Sequence, residues 1–126
     1  MNIKFDNLSD KEFLKHYLNV YNLSMPPHQQ LLPSEIDMVI EFALLPEDKF
    51  AHQRFSTLAK NKVIEASPHW KLTKLNINNK LYALLDKKFL RRDDDKVIYL
   101  PNHLISSLTS FRKNKSFTIN IVYGSS

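Results

Sequence analysis

Residues 74–100 read KLNINNKLYALLDKKFLRRDDDKVIYL. Ile77, Leu81, Leu84 and Leu85 fall at i, i+4, i+7 and i+8, which is one face of a helix. A helix over 74–88 is therefore expected, with Thr73 as its cap. Phe89 and Leu90 then open an extended segment. Arg91-Arg92-Asp93-Asp94-Asp95-Lys96 is a polar turn, and Val97-Ile98-Tyr99-Leu100 returns as a strand. Two short apolar strands around a polar turn make a hairpin over 89–100. With the four apolar side chains inward, the outward face of the helix carries Asn76, Asn79, Lys80, Ala83 and Lys87.

Upstream, three more helices are expected. Ser9 and Glu12 have capping-box spacing, and Phe13, Leu14, Tyr17, Leu18 and Tyr21 repeat at helical spacing. That helix stops before Met25-Pro26-Pro27, and 24–32 reads as an extended linker. Ser34 caps a second helix with Ile36, Val39, Ile40, Ala43 and Leu44 on its buried face, and Pro46 ends it. A third runs over about 52–66, with Phe55, Leu58, Ala59 and Val63 inward, until Ser67-Pro68. Trp70 reads as a core plug under the turn that follows. Downstream, 101–112 forms a short helix through Leu104, Ile105, Leu108 and Phe111. The alternation in 116–123 favours a last strand, with two partners open to it: the hairpin, or a sheet edge on a neighbouring chain.

Helix, helix, short turn, helix, hairpin is the order of a winged helix-turn-helix. The fold class expected is thus mainly α with a small β-hairpin wing, plus an extended N-terminal arm and a C-terminal strand. The divisions are a helical arm over 1–30, the winged-helix unit over 31–112 and the tail over 113–126. On such a frame the fourth helix is the reading helix. Asparagine pairs with an adenine edge and lysine reaches guanine or phosphate. The candidate contact residues, for DNA or a protein partner, are Lys71, Lys74, Asn76, Asn79, Lys80, Lys87, Arg91 and Arg92, with Lys60 and Lys62 flanking them.

Several residues in this span carry a resemblance to winged-helix proteins of tailed phages, of the crAss-like type. They are Leu32-Pro33-Ser34-Glu35-Ile36, Glu41-Phe42, Arg54-Phe55-Ser56-Thr57, Leu75-Asn76-Ile77-Asn78-Asn79, Leu84, Lys87-Lys88-Phe89-Leu90 and the Asp-rich turn. The resemblance implies a virion protein, present in host cytoplasm during assembly. Its role there is that of an adaptor in a head-tail connector or tail ring, with other virion proteins and copies of itself as partners. The alternative is a phage-encoded regulator that binds double-stranded DNA. The Asp93-Asp94-Asp95 tip departs from a DNA-reading wing, because phosphates repel carboxylates.

Composition narrows the classes further. The 126 residues suit one domain. There is no cysteine, so disulfides, thiolate metal sites and cysteine nucleophiles are excluded. Gly124 is the only glycine, which argues against phosphate-cradling loops. The net charge is +5, and residues 51–90 hold eight bases against two acids while 31–50 hold one base against five acids. Such a basic middle attracts nucleic acid or an acidic protein surface. It also suits a solvated face that keeps a small protein soluble. No apolar run approaches the about 20 residues of a membrane span, so no membrane partner is expected. The start of the chain has no apolar core of signal-peptide length.

His16, His28, His52, His69 and His103 are scattered, with no i, i+4 pair of the kind a helical zinc site uses. Glu47-Asp48 and 93–95 lie on polar turns where carboxylates sit in water. No catalytic residue, metal or cofactor is therefore expected, and the chain reads as a protein other than an enzyme.

Overall fold

The computed structural model describes residues 2–45, 55–66, 74–94 and 97–120. It is mainly helical, with two small antiparallel sheets. In chain order the elements are β1 (Asn2–Asp6), α1 (Asp10–Leu23), α2 (Pro33–Ala43), α3 (Thr57–Ala66), α4 (Lys74–Asp86), β2 (Arg91–Arg92), β3 (Ile98–Tyr99), α5 (Asn102–Asn114) and β4 (Ser116–Asn120). Among the described residues no helix is long and apolar enough to cross a membrane.

α1 opens with the expected capping box. Ser9 Oγ accepts from the Glu12 N–H and the Glu12 carboxylate accepts from the Ser9 N–H, both at 3.1 Å. Phe13, Leu14 and Leu18 are buried. The linker after it is only partly extended. Pro27–Gln29 form a 3₁₀ turn, and the Asn22 side-chain amide bonds the Leu31 carbonyl at 2.9 Å and its N–H at 2.8 Å, folding the chain back.

α2 begins one residue before its expected cap. Pro33 occupies the first helical position, where its missing N–H costs nothing. Leu32 is the boundary residue, and its N–H is satisfied by the Glu35 carboxylate at 2.7 Å. Ser34 is therefore inside the helix. Ile36, Met38, Val39, Ile40, Phe42 and Ala43 are all buried, so α2 is the central helix.

α3 starts at Thr57, with Ser56 Oγ accepting from the Ala59 N–H at 3.2 Å. The expected start at 52 lies outside the described residues. Phe55, Ala59 and Val63 are buried as expected, but Leu58 is 62% exposed. Phe55 lies before the helix, so the helical period runs through Ala59 and Val63 and turns Leu58 outward.

On α4, Ile77, Leu81 and Leu84 are buried and Leu85 is half-buried. The helix closes with Lys88 at φ 63°, its N–H bonded to the Leu85 carbonyl, while the Phe89 N–H reaches back to Leu84. This is a Schellman ending with lysine where glycine is usual. Elsewhere among the described residues Asn7 and Lys115 are left-handed, again without glycine.

The hairpin has two residue pairs, Arg91 with Tyr99 and Arg92 with Ile98. Asp93 closes its turn. Its carboxylate accepts from the Val97 N–H at 2.9 Å and from the Tyr99 hydroxyl at 3.0 Å.

The C-terminal strand has a partner that neither expectation included. β4 pairs antiparallel with β1, with Phe117 opposite Phe5 and Ile119 opposite Ile3. The arm and the tail thus clasp each other within the chain. The Phe117 ring packs edge-on to Phe13 at 5.5 Å between centroids, and Phe13 stacks on Phe111 at 4.3 Å. One hydrophobic cluster takes residues from all five helices, with Phe89, Leu90 and Leu100 from the hairpin segment. Residues of the 1–30 arm are therefore part of the same core as α2, α3 and α4.

Candidate partner-contacting face

The apolar stripe of α4 faces the core, and its two flanks meet different helices. One flank carries Lys80 and Lys87. Lys80 Nζ donates to Ser34 Oγ at 2.9 Å. Lys87 forms an ion pair with Glu35, whose side chain is only 2% exposed. Both lysines therefore end at the N-terminal turn of α2. The Glu35 carboxylate accepts from Lys87 and from the Leu32 N–H, which satisfies a buried charge that would otherwise be costly. The other flank carries Asn78, whose side-chain oxygen accepts from Lys60 of α3 at 2.7 Å.

The remaining face of α4 is open. Asn76, Asn79, Tyr82 and Asp86 are exposed, and Tyr82 keeps 60% of its surface. From the hairpin, the Arg92 guanidinium lies over the Tyr82 ring, 5.9 Å from its centroid. Arg92 makes no ion pair among the described residues. Arg91, next along the strand, points to the other side of the hairpin. It lies over its cross-strand neighbour Tyr99 at 5.6 Å, with a long contact of 3.4 Å to Asn102.

The eight candidate residues therefore divide. Asn79 and Arg92 belong to the open face, with Asn76 at its edge. Lys80 and Lys87 are held against α2, and Arg91 is on the far side of the hairpin. Lys74 begins α4, and Lys71 lies outside the described residues, as does Trp70. Tyr82 and Glu35 were not among the candidates. Tyr82 was readable as an aromatic residue off the apolar stripe of its own helix, but Glu35 had no such signal.

A second cluster lies between α1 and α5. Tyr17 Oη and His103 Nδ1 are 2.7 Å apart, and Tyr21 stacks on the imidazole with 5.6 Å between centroids. Burial pushes the His103 pKa below its ordinary value and pushes those of Tyr17 and Tyr21 up. These rings join α1 to the first turn of α5, which is packing chemistry. Among the described residues no group of three His, Asp or Glu side chains is placed to hold a metal ion.

Compared with protein-family models, curated proteins and solved structures, the chain gives no match.

Proposed function

We propose that this chain is a protein-contact adaptor on a winged-helix frame. α2, α3 and α4 are its three helices, the β2–β3 hairpin is its wing, and α4 presents the contact face. Following the resemblance in residues 32–100, its setting is the particle of a tailed phage, in a head-tail connector or tail ring, without a catalytic role. The observation that carries this reading is the state of the α4 lysines. Lys80 and Lys87 end on Ser34 and Glu35. Among the described residues, the open face presents an exposed tyrosine beside two amides, an acid and one arginine. Tyrosine and arginine are enriched at protein interfaces, whereas a duplex asks for a continuous basic stripe. The test is quantitative mass spectrometry of purified particles. A fixed copy number per particle supports the adaptor, and absence from particles refutes it.

The second reading is a regulator that binds double-stranded DNA. Exposed Asn79 favours it, as does Arg92 with no ion pair among the described residues, since both residue types read base edges. It predicts duplex binding that weakens steeply as salt rises. The closure of β4 on β1 removes one argument for the adaptor, because those five residues of the tail strand already have a partner inside the chain.

A further inference from the structure

We infer that the open face of α4, formed by Asn79, Tyr82 and Asp86 with Arg92 of β2, docks an extended segment of a partner protein that carries one acidic side chain beside an apolar one. The inference rests on the protein-contact reading above and adds the chemistry of the partner.

Tyr82 projects from the side of α4 that the core does not use, and it is among the few large apolar residues left exposed. Its ring offers flat apolar area with little side-chain freedom to lose. Arg92 covers part of that ring. At 5.9 Å from the ring centroid the guanidinium keeps its N–H edge accessible, and that planar fork matches a carboxylate. With no ion pair among the described residues, that fork lacks an acceptor which a partner's Asp or Glu supplies through two charge-assisted hydrogen bonds. Asn79 lies one turn before Tyr82 on the same face. Its amide offers both donors and an acceptor, the pair of functions a peptide backbone needs.

Asp86 sets the limit on charge. It follows Tyr82 by four residues and is exposed, so it repels a second carboxylate on that side. The face is formally neutral, with one arginine and one aspartate. It therefore complements a single acid, in contrast to a run of acids or a phosphate backbone carrying one charge per about 1.7 Å. Tyrosine and arginine together are the residue types that dominate binding energy at protein contacts.

The experiment uses the full chain and fluorescein-labelled peptides of about twelve residues, each a neutral Ser-Thr sequence with one central Glu-Leu, Gln-Leu or Lys-Leu pair. Binding is read by anisotropy at about 150 mM salt, where surface charges are screened beyond about 8 Å. The Glu-Leu peptide is expected to bind at least about fivefold more tightly than the others. Tyr82→Ala and Arg92→Ala should each weaken it about fivefold or more. Arg92→Lys should weaken it too, since the charge survives and the fork does not. Lys113→Ala removes the same charge from an exposed site on α5 and should change binding less than about twofold. Thermal melts verify that each variant is folded. The inference is overturned if the Glu-Leu peptide does not bind, or if its binding is indifferent to Tyr82→Ala and Arg92→Ala. It is equally overturned if a duplex of about 20 base pairs occupies the face more tightly than the peptide. Failure here leaves the adaptor reading standing, because copy number in particles is measured independently.

Discussion

The two sides of α4 differ in what they have already spent. On the flank beside α2, Lys80 and Lys87 are bound to Ser34 and Glu35, and Glu35 is almost fully buried. On the open side, Tyr82 and Asp86 face solvent, and among the described residues Arg92 meets a ring and no carboxylate. The same helix thus holds a fixed set of charges and an available one. Residue type does not separate them, since lysine and arginine both read as contact residues. The partner does, most firmly at Lys87, whose Glu35 is buried, while Lys80 ends on the exposed Ser34. A base that neutralises a buried carboxylate is part of the fold, and a base lying on an exposed ring is free to meet another molecule.

The largest expected effect comes from breaking the fixed side. Lys87→Ala leaves the Glu35 charge buried without its ammonium and should cost about 2–4 kcal/mol in urea unfolding. Replacing both residues together, with Glu35→Leu and Lys87→Met, should recover most of that loss, because an apolar pair carries no desolvation penalty. If the single change costs less than about 0.5 kcal/mol, the pair is not a fixed element of the fold.

The hairpin that positions Arg92 comes next. Asp93→Ala removes the acceptor for the Val97 N–H and the Tyr99 hydroxyl and should cost about 1 kcal/mol. It should also weaken any binding that depends on Arg92, whereas Asp94→Ala should leave it unchanged. Lys88→Gly acts in the opposite direction. It relieves a left-handed lysine and should stabilise the chain by about 0.5 kcal/mol, measured as a rise in melting temperature.

A smaller effect tests the α1–α5 junction, away from both sides of α4. Burial lowers the His103 pKa in the folded chain. As pH falls through the ordinary histidine value near 6.5, the unfolded chain takes up the proton first. Stability is therefore full above that value and is lost as pH falls toward the lowered folded pKa. His103→Gln should flatten the melting temperature over that window. The smallest effect is on the open side itself, where Arg92→Ala should shift stability by less than about 0.5 kcal/mol while weakening peptide binding about fivefold or more.

Much of this architecture was legible in the sequence, because helical spacing is a local signal. The stripe Ile77, Leu81, Leu84 and the capping box at Ser9 were readable from a few neighbouring residues. Leu58 faces outward because it lies one residue, about 100° of helix, from the Ala59–Val63 line, and its apolar side chain gives no local sign of this. Long-range events left no such mark. β1 pairs with β4 across more than a hundred residues, and a five-residue strand near the start of the chain carries no turn signal to announce its partner. The lysines of α4 were assigned outward because they lie off the apolar stripe. Their acceptors are on a helix about fifty residues earlier, and no spacing rule connects them. With one glycine in the chain, the left-handed turns at Asn7, Lys88 and Lys115 also lacked their usual marker.

The most direct test of the division between the two sides is the salt dependence of duplex binding by the full chain. Each lysine or arginine that neutralises a phosphate adds about 0.9 to the slope of log K against log salt. With Lys80 and Lys87 held by α2, Lys80→Ala should leave that slope unchanged, and retention at about 150 mM salt should be absent. Tight, steeply salt-dependent binding whose slope falls by about 0.9 in Lys80→Ala contradicts the account, since it would place that lysine on phosphate.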